Sequence, residues 1–149
     1  MTAPLGWTRR LVEGLAAYIG EHTSATWRPT GGYTSGETAL TVSIRPATPA
    51  RLVAITPYIV GHVGPAGDET IGIQTWFRAQ PAYVLDLADE VHELINGATN
   101  LQLGGIWVSQ IWRRSGDDLG ADQGTNASGL AERVHNYYAL ASRPSPNYE

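Results

Sequence analysis

Residues 71–97 have the sequence IGIQTWFRAQPAYVLDLADEVHELING, and this stretch contains the change of periodicity that determines the fold class. In its first eight residues apolar and polar side chains alternate, with Ile71, Ile73 and Phe77 on one face, as in a half-buried strand. Pro81 follows at a position typical of the first turn of a helix, where a missing N–H costs nothing. The stretch therefore predicts a strand followed directly by a helix.

The helix predicted from Pro81 to Gly97 has one apolar face and one acidic face. Its apolar residues are spaced by three and four positions and are Val84, Leu87, Ala88, Val91 and Ile95. We call its second face the acidic stripe, which consists of Asp86, Asp89, Glu90 and Glu93. The helix carries no arginine to pair with them. The stripe is either a solvated surface or one that faces other charges, namely basic groups of a neighbouring chain or DNA that it repels.

Before this stretch, the spacing predicts one helix and two strands. Residues 5–20 place Trp7, Leu11, Leu15 and Ile19 on one helical face. Residues 38–45 alternate, with Leu40, Val42 and Ile44 together, and predict a half-buried strand. Residues 51–60 are apolar on both faces and predict a covered strand. Pro57 cannot donate to a strand ladder, so we expect a bulge or a sheet edge there.

After the central helix, residues 106–113 predict a strand, and residues 130–140 fit either a helix or a strand. Val134, Tyr137 and Tyr138 favour the strand. The resulting prediction is an α+β fold. A mostly antiparallel sheet of about five to six strands has an N-terminal helix and a central helix packed on it, covering one face. Residues 1–149 form a single domain, and residues 142–149 are expected to be a flexible tail.

Composition excludes several classes of protein. The 149 residues are 42% hydrophobic and 16% charged, which fits one globular domain. There is no cysteine, so disulfides, thiolate metal sites and cysteine nucleophiles are excluded. No apolar run reaches 18 residues and no signal peptide is visible, so no membrane association is expected. A net charge of −4 argues against a surface that grips nucleic-acid phosphates.

No sequence motif points to catalysis. The four histidines, His22, His62, His92 and His135, have no metal-ligand spacing. The glycine-rich segment 61–67 leads into a strand and lacks the lysine of a phosphate-binding loop. Asp117, Asp118 and Asp122 lack the pattern of a calcium loop. We therefore expect no metal, no cofactor and no enzymatic activity.

The five tryptophans and their arginine neighbours suggest contact surfaces, because tryptophan and arginine are enriched at protein interfaces. Trp107 and Trp112 are five positions apart in one strand and are expected on opposite faces. Candidates for a subunit interface are Trp76, Arg78, Trp112, Arg113 and Arg114. A second layer that covers the sheet within the same chain explains these residues equally well.

The order of these elements resembles the tail terminator proteins of long-tailed, siphovirus-type bacteriophages. The resemblance covers about residues 5–140 and is carried by the strand 71–78, Pro81 and three short strings. These strings are YVLDLADEVHELI at 83–95, LGAD at 119–122 and ERVHNY at 132–137.

The resemblance implies a structural virion protein at the junction of tail and neck, assembled in the host cytoplasm. Its subunits form a homo-hexameric ring that caps the tail tube, ends tube polymerisation and joins the tail to the head-completion or neck protein. DNA passes through the ring lumen without specific binding. The acidic stripe would then be charged ring surface, facing either the lumen or a neighbouring subunit.

The resemblance also assigns a role to two segments, 61–70 and 115–129, which we expect to be loops long enough to reach the tail tube or the connector. The residues expected to make these contacts are His62, Asp68, Glu69, Asp117, Asp118 and Asp122. Two alternatives remain open. One is a head-closure or neck protein of the same virion, and the other is a small ligand-binding α+β domain.

Overall fold

The structure is a computed structural model that describes residues 5–30, 32–62, 67–121 and 129–144. Over these residues the chain forms two helices and seven strands, so the α+β prediction is confirmed. The helices are α1 (Trp7–His22) and α2 (Pro81–Ile95). The strands are β1 (Thr26–Trp27), β2 (Ala39–Val42), β3 (Leu52–His62), β4 (Asp68–Ala79), β5 (Thr99–Leu103), β6 (Ile106–Ala121) and β7 (Ala131–Ser142).

The seven strands form one mixed sheet in the order β1-β2-β3-β4-β7-β6-β5. β1, β2 and β3 run parallel to one another, whereas the remaining pairings are antiparallel. The prediction of a mostly antiparallel sheet of five to six strands is therefore wrong. β1 has two residues, too few for periodicity, and the mostly polar β5 (TNLQL) shows no alternation of apolar residues. Parallel neighbours are also not joined by a hairpin turn, so the sequence has no hairpin motif that would predict their pairing.

Both helices pack on one face of the sheet, which we call the inner face. The apolar stripe predicted for α2 is buried, and so are Leu11, Leu15 and Ile19 of α1. They join inner-face side chains such as Ile73, Phe77 and Tyr137 in one core. A second, smaller cluster lies on the outer face and contains Ala39, Leu52, Ala54 and Trp76. The sheet therefore has one face covered by helices and one covered only in part.

Several strand boundaries differ from the prediction. β2 ends at Val42, because Ser43 has φ 63°, and Ile44 is consequently 62% exposed instead of sharing the buried face of Leu40. The last β2–β3 register pair is Val42 with Ile55, so β3 beyond that point has a neighbour on one side only among the described residues. Pro57 lies in this open stretch, which confirms the predicted sheet edge. The register shift in β3 falls between Ile59 and Gly61.

The first part of the segment 115–129 is not a loop, because residues 115–121 belong to β6, whereas residues 122–128 lie outside the described residues. β6 continues to Ala121 and pairs with β7 as far as Ala131, in a stretch that we call the ribbon (113–121 and 131–137). On its other side β7 also pairs with β4 here, so this part of β6 is the edge of the sheet among the described residues. Three register shifts interrupt β6, which weakens the alternation that would identify a strand in the sequence. Residues 115–121 are also mostly polar, and such a composition is typical of a loop.

Candidate functional site

The acidic stripe lies on the side of α2 that faces away from the sheet. Asp86, Asp89 and Glu93 are exposed and form no ion pair with the described residues. Glu90 differs, because its Oε1 accepts hydrogen bonds from the backbone N–H of Ser24 at 2.6 Å and from its hydroxyl at 2.8 Å. Three residues of the stripe are thus free surface charges, and the fourth holds the segment after α1 against α2.

Trp76 is 7% exposed, because its own chain covers it. The guanidinium carbons of Arg45 and Arg78 lie 4.5 and 5.6 Å from its ring centre, and its Nε1–H donates to Glu132 at 3.1 Å. Arg78 also donates to the carbonyls of Pro46, Pro49 and Ala50. For Trp76 and Arg78 the structure therefore shows that the layer covering the sheet comes from the same chain.

Trp112 is half-buried on the outer face, where its ring meets Tyr138 edge-on at 6.0 Å. The guanidinium of Arg114 lies 5.5 Å from the same tyrosine ring. The expectation that Trp107 and Trp112 lie on opposite faces is wrong. The register shift between Val108 and Gln110 inverts the alternation, so both tryptophans are on the outer face.

The residues expected in contacting loops lie mainly in strands. His62 is the last residue of β3, and Asp68 and Glu69 begin β4, where Glu69 pairs with Arg143 at 2.9 Å. Asp117 and Asp118 lie in β6. Asp122 and residues 145–149 of the expected tail lie outside the described residues. Of this tail, Ser142 belongs to β7, and Arg143 donates its N–H to the carbonyl of Gly67.

One polar cluster was missed by the sequence reasoning. The hydroxyl of Tyr137 lies 2.7 Å from Nδ1 of His92 and 3.2 Å from Nδ1 of His135. His135 is 1% exposed, and its Nε2 has no hydrogen-bond partner among the described residues. We call these three residues the His–Tyr–His cluster. The sequence predicts that two of its three residues lie together, because His135 and Tyr137 are two positions apart in a strand and must share a face.

Burial determines the charge of this cluster. Desolvation, followed by the nearby charges of Arg133 and Arg113, lowers the pKa of His135 to about 4. Desolvation also lowers the pKa of His92 and raises that of Tyr137 above its ordinary value. Both imidazoles and the phenol are therefore neutral at pH 7.

A polar cleft of about 530 Å³ lies beside the cluster on the ribbon. We call it the ribbon cleft. It is lined by Arg113, Arg114, Ser115, Gly116, Asp117, Asp118, Arg133 and His135. Arg133 forms an ion pair with Asp118 at 3.2 Å. Arg113 donates its backbone N–H to Asn96, but its side chain forms no ion pair or hydrogen bond with the described residues.

A larger groove, of about 580 Å³, lies between the start of α1 and the β1–β2 end of the sheet, and Pro57 at the open edge of β3 also lines it. Val42, Ile44 and Pro57 are among its lining residues. A second groove of about 330 Å³ shares Pro57 and Thr8 with it and is lined by Ile59, which is 96% exposed. Apolar side chains thus remain uncovered along this edge.

In the part of the chain that the structure describes, no three His, Asp or Glu side chains are grouped so that they could hold a metal ion. Neither described helix is long and apolar enough to span a bilayer. No protein-family model matches this chain, and comparison with curated proteins gives no match.

Proposed function

We propose that this chain is a ring-forming structural subunit, the tail terminator of a long-tailed bacteriophage. Copies of it close into a ring, hexameric by the resemblance described above, that caps the tail tube, stops its growth and joins it to the neck. The proposal extends the sequence resemblance. The observation that carries it is the uncovered apolar edge of β3.

This edge needs a partner. Ile59 and Ile44 are 96% and 62% exposed beside grooves that meet at Pro57, and β3 has an unpaired side there. Exposed apolar groups that gather at one place are typical of protein–protein contact surfaces. An open strand edge is also a template for pairing with another chain. A subunit that is incomplete alone fits an assembly protein better than a monomeric enzyme.

The acidic stripe supports the same proposal. Asp86, Asp89 and Glu93 add three uncompensated negative charges to one side of α2. A lumen lined by such charges would let DNA pass without holding it, since like charges repel. If the stripe faces a neighbouring subunit instead, it would favour basic partners and a fixed orientation.

Termination follows from the geometry of such a ring. A head-to-tail interface between identical copies closes when its rotation completes a circle. One ring face must then match the tail tube and the other must differ from it, so that no further tube subunit adds. Specificity lies in the free-energy difference between these two faces.

The test combines light scattering on the purified chain with binding to purified tails that lack their terminator. We expect a ring, formed either in solution or on the tail end. A chain that stays monomeric and does not bind tails contradicts the proposal. Binding to DNA-filled heads in the absence of tails would instead indicate the head-closure or neck alternative.

The acidic stripe is tested by reversing Asp86 and Glu93 to Arg, because neither residue has an ion-pair partner among the described residues that the change would remove. We expect unchanged thermal unfolding, together with reduced ring formation or DNA passage. Glu21→Arg, at an exposed position of α1, is the control for adding an arginine to a helix surface. Full assembly and infectivity of the double variant would show that the stripe has no role.

A further inference from the structure

The ribbon cleft has the features of a binding site for a small anion. Its inner wall is formed by Arg113, Gly116 and Arg133, and His135 adds a side chain that is almost completely buried. Polar groups that converge in a concave site are how proteins fix the orientation of a small ligand. Of these residues, only Arg113 is also among the candidates for the subunit interface.

The cations of the cleft are unequally compensated. Arg133 already pairs with Asp118, and the guanidinium of Arg114 lies over Tyr138. Arg113 has no carboxylate within ion-pair distance among the described residues, and it lies close enough to His92 and His135 to lower both pKa values, which Asp89 of α2 raises to a smaller extent. An uncompensated guanidinium beside a second one attracts oxyanions, which arginine binds through two parallel hydrogen bonds.

The His–Tyr–His cluster provides a further donor through its tautomers. Tyr137 has one hydroxyl proton and lies between two Nδ1 atoms, so it donates to one histidine and accepts from the other. When it donates to His135, the proton of that imidazole is on Nε2. The buried Nε2 is then an N–H that has no hydrogen-bond partner in the part of the chain that the structure describes.

Gly116 leaves this ring edge uncovered by a side chain. A Cβ at position 116 would lie 3.0 Å from Cδ2 of His135 and 3.8 Å from its Nε2. The glycine is therefore directly opposite the unpartnered edge of the imidazole. A side chain at position 116 would occupy the space beside this edge of the imidazole.

We propose that the ribbon cleft binds a small oxyanion between the Arg113 guanidinium and the Nε2–H of His135. Inorganic phosphate and a simple carboxylate share this chemistry. The bound anion selects the tautomer in which Tyr137 donates to His135 and accepts from His92. The site belongs to the single chain, so its test does not depend on ring formation.

The test is an NMR titration of the intact chain with phosphate and, separately, acetate, each against sodium chloride at equal ionic strength. We expect saturable shifts at Arg113 and His135 with at least one oxyanion, and a protonated Nε2 on His135 in the bound state. The oxyanion that saturates the shifts at the lower concentration, phosphate or acetate, identifies the class of ligand that the cleft binds. Shifts that chloride reproduces, or an unprotonated Nε2 at saturation, would overturn the proposal.

Arg113→Gln tests the arginine and preserves most of the side chain's volume. Because a hydrogen bond to a charged group is strong, we expect oxyanion affinity to fall roughly tenfold or more. As the control, Arg9→Gln removes one arginine charge at an exposed position of α1, outside the cleft. This variant is expected to retain binding. Equal affinities of the two variants would contradict the assignment, and the backbone NMR spectrum of each shows whether it is folded.

Discussion

At the scale of single residues, His135 shows how surroundings determine the charge of a side chain. It is 1% exposed, and burial together with Arg133 and Arg113 lowers its pKa to about 4. In the unfolded chain an ordinary histidine titrates near 6.5. The folded state therefore disfavours the protonated imidazole, and protonation and folding are linked.

This linkage predicts a pH dependence of stability. Below pH 6.5 the unfolded chain binds the proton while folded His135 stays neutral, so the free energy of unfolding falls as the pH decreases. The loss from this residue levels off below about pH 4, where the folded state is protonated too. Urea denaturation at pH 7.5, 6 and 5 measures the effect.

The control for this prediction is His22→Gln, which removes an exposed histidine. We expect the variant to lose stability between pH 7.5 and 5 by the same amount as the wild type. In contrast, His135→Gln should make this part of the pH profile less steep, whatever its stability at pH 7.5, and the slope that remains comes in part from His92, whose pKa is also lowered. An unchanged profile in His135→Gln would show that another group is responsible.

A second prediction at this scale concerns Gly14 in α1. A Cβ at this position would overlap the backbone nitrogen of Gly104 in the turn before β6, and Gly104 itself has φ +59°. Alanine normally stabilises a helix by about 1 kcal/mol relative to glycine. Here we expect Gly14→Ala to destabilise the protein by about 1–3 kcal/mol, because backbone must move.

Thermal and urea unfolding measure this effect. Gly36→Ala is the matched control, since a Cβ there meets nothing within 4 Å and no strained φ is involved. If Gly14→Ala left the stability unchanged or increased it, α1 and the turn at Gly104 could move apart without loss of stability.

Which residues form the candidate sites could be predicted only in part. The apolar stripe of α2 followed from its 3.6-residue period, and so did the acidic stripe opposite it. The His–Tyr–His cluster did not, because His92 and Tyr137 are 45 positions apart and only the packing of α2 on β7 brings them together. For Trp76 the sequence left a subunit contact and a cover within the chain equally open, because part of its cover comes from Arg45, which is distant in sequence.

At the scale of elements, the acidic stripe separates into a structural and a free part. Glu90 accepts two hydrogen bonds from Ser24, whereas Glu93 makes none with the described residues. We expect Glu90→Ala to lower the free energy of unfolding by about 0.5–1.5 kcal/mol, since it removes two exposed hydrogen bonds to Ser24. Glu93→Ala is expected to change it by less than about 0.5 kcal/mol.

Chemical denaturation of the two variants, side by side, measures the difference between the two glutamates. The pair is well matched, because both remove one carboxylate from the same helix, one turn apart. Similar stability of both variants would show that the Ser24 contact contributes little to the fold.

The helices were predictable as elements because each has a wide apolar face and a glycine or proline near one end. β6 was predicted only over its first half, since its outer half is polar and its register shifts break the alternation. The same irregularity placed Trp107 and Trp112 on one face. Periodicity predicts a strand well only where the strand is regular and one face is buried.

At the scale of the whole molecule, the sheet has different surfaces at its two ends. The β1–β3 end is short, parallel and apolar at its open edge, whereas the β6–β7 ribbon is long, antiparallel and polar. Sequence alone could not predict this arrangement, because the parallel pairings join segments without a turn motif. It suggests that the apolar end makes contacts between copies and that the ribbon reaches other components.

The connection between β6 and β7 at the end of the ribbon can be shortened to test this division. Ala121 and Ala131 form the last register pair of β6 with β7, so the segment 122–130 can be replaced by Asn-Gly, which favours the tight turn of a two-residue hairpin. Both alanine positions and the inner-face core stay in place. We therefore expect stability within about 1 kcal/mol of the wild type, because Gly129 and Leu130, the described residues that the change removes, do not belong to the main core.

Ring formation by the shortened chain is also expected to persist, because the open β3 edge is untouched, whereas binding to tail tubes or neck should be lost. Light scattering and sedimentation with purified tails measure the two properties separately. As a control, exchanging residues 122–130 for a glycine–serine segment of equal length preserves the spacing but not the side chains. If the hairpin variant attaches to tails as well as the wild type does, the ribbon end makes no essential contact, and the grooves beside Pro57 become the remaining candidates for the tube-binding surface.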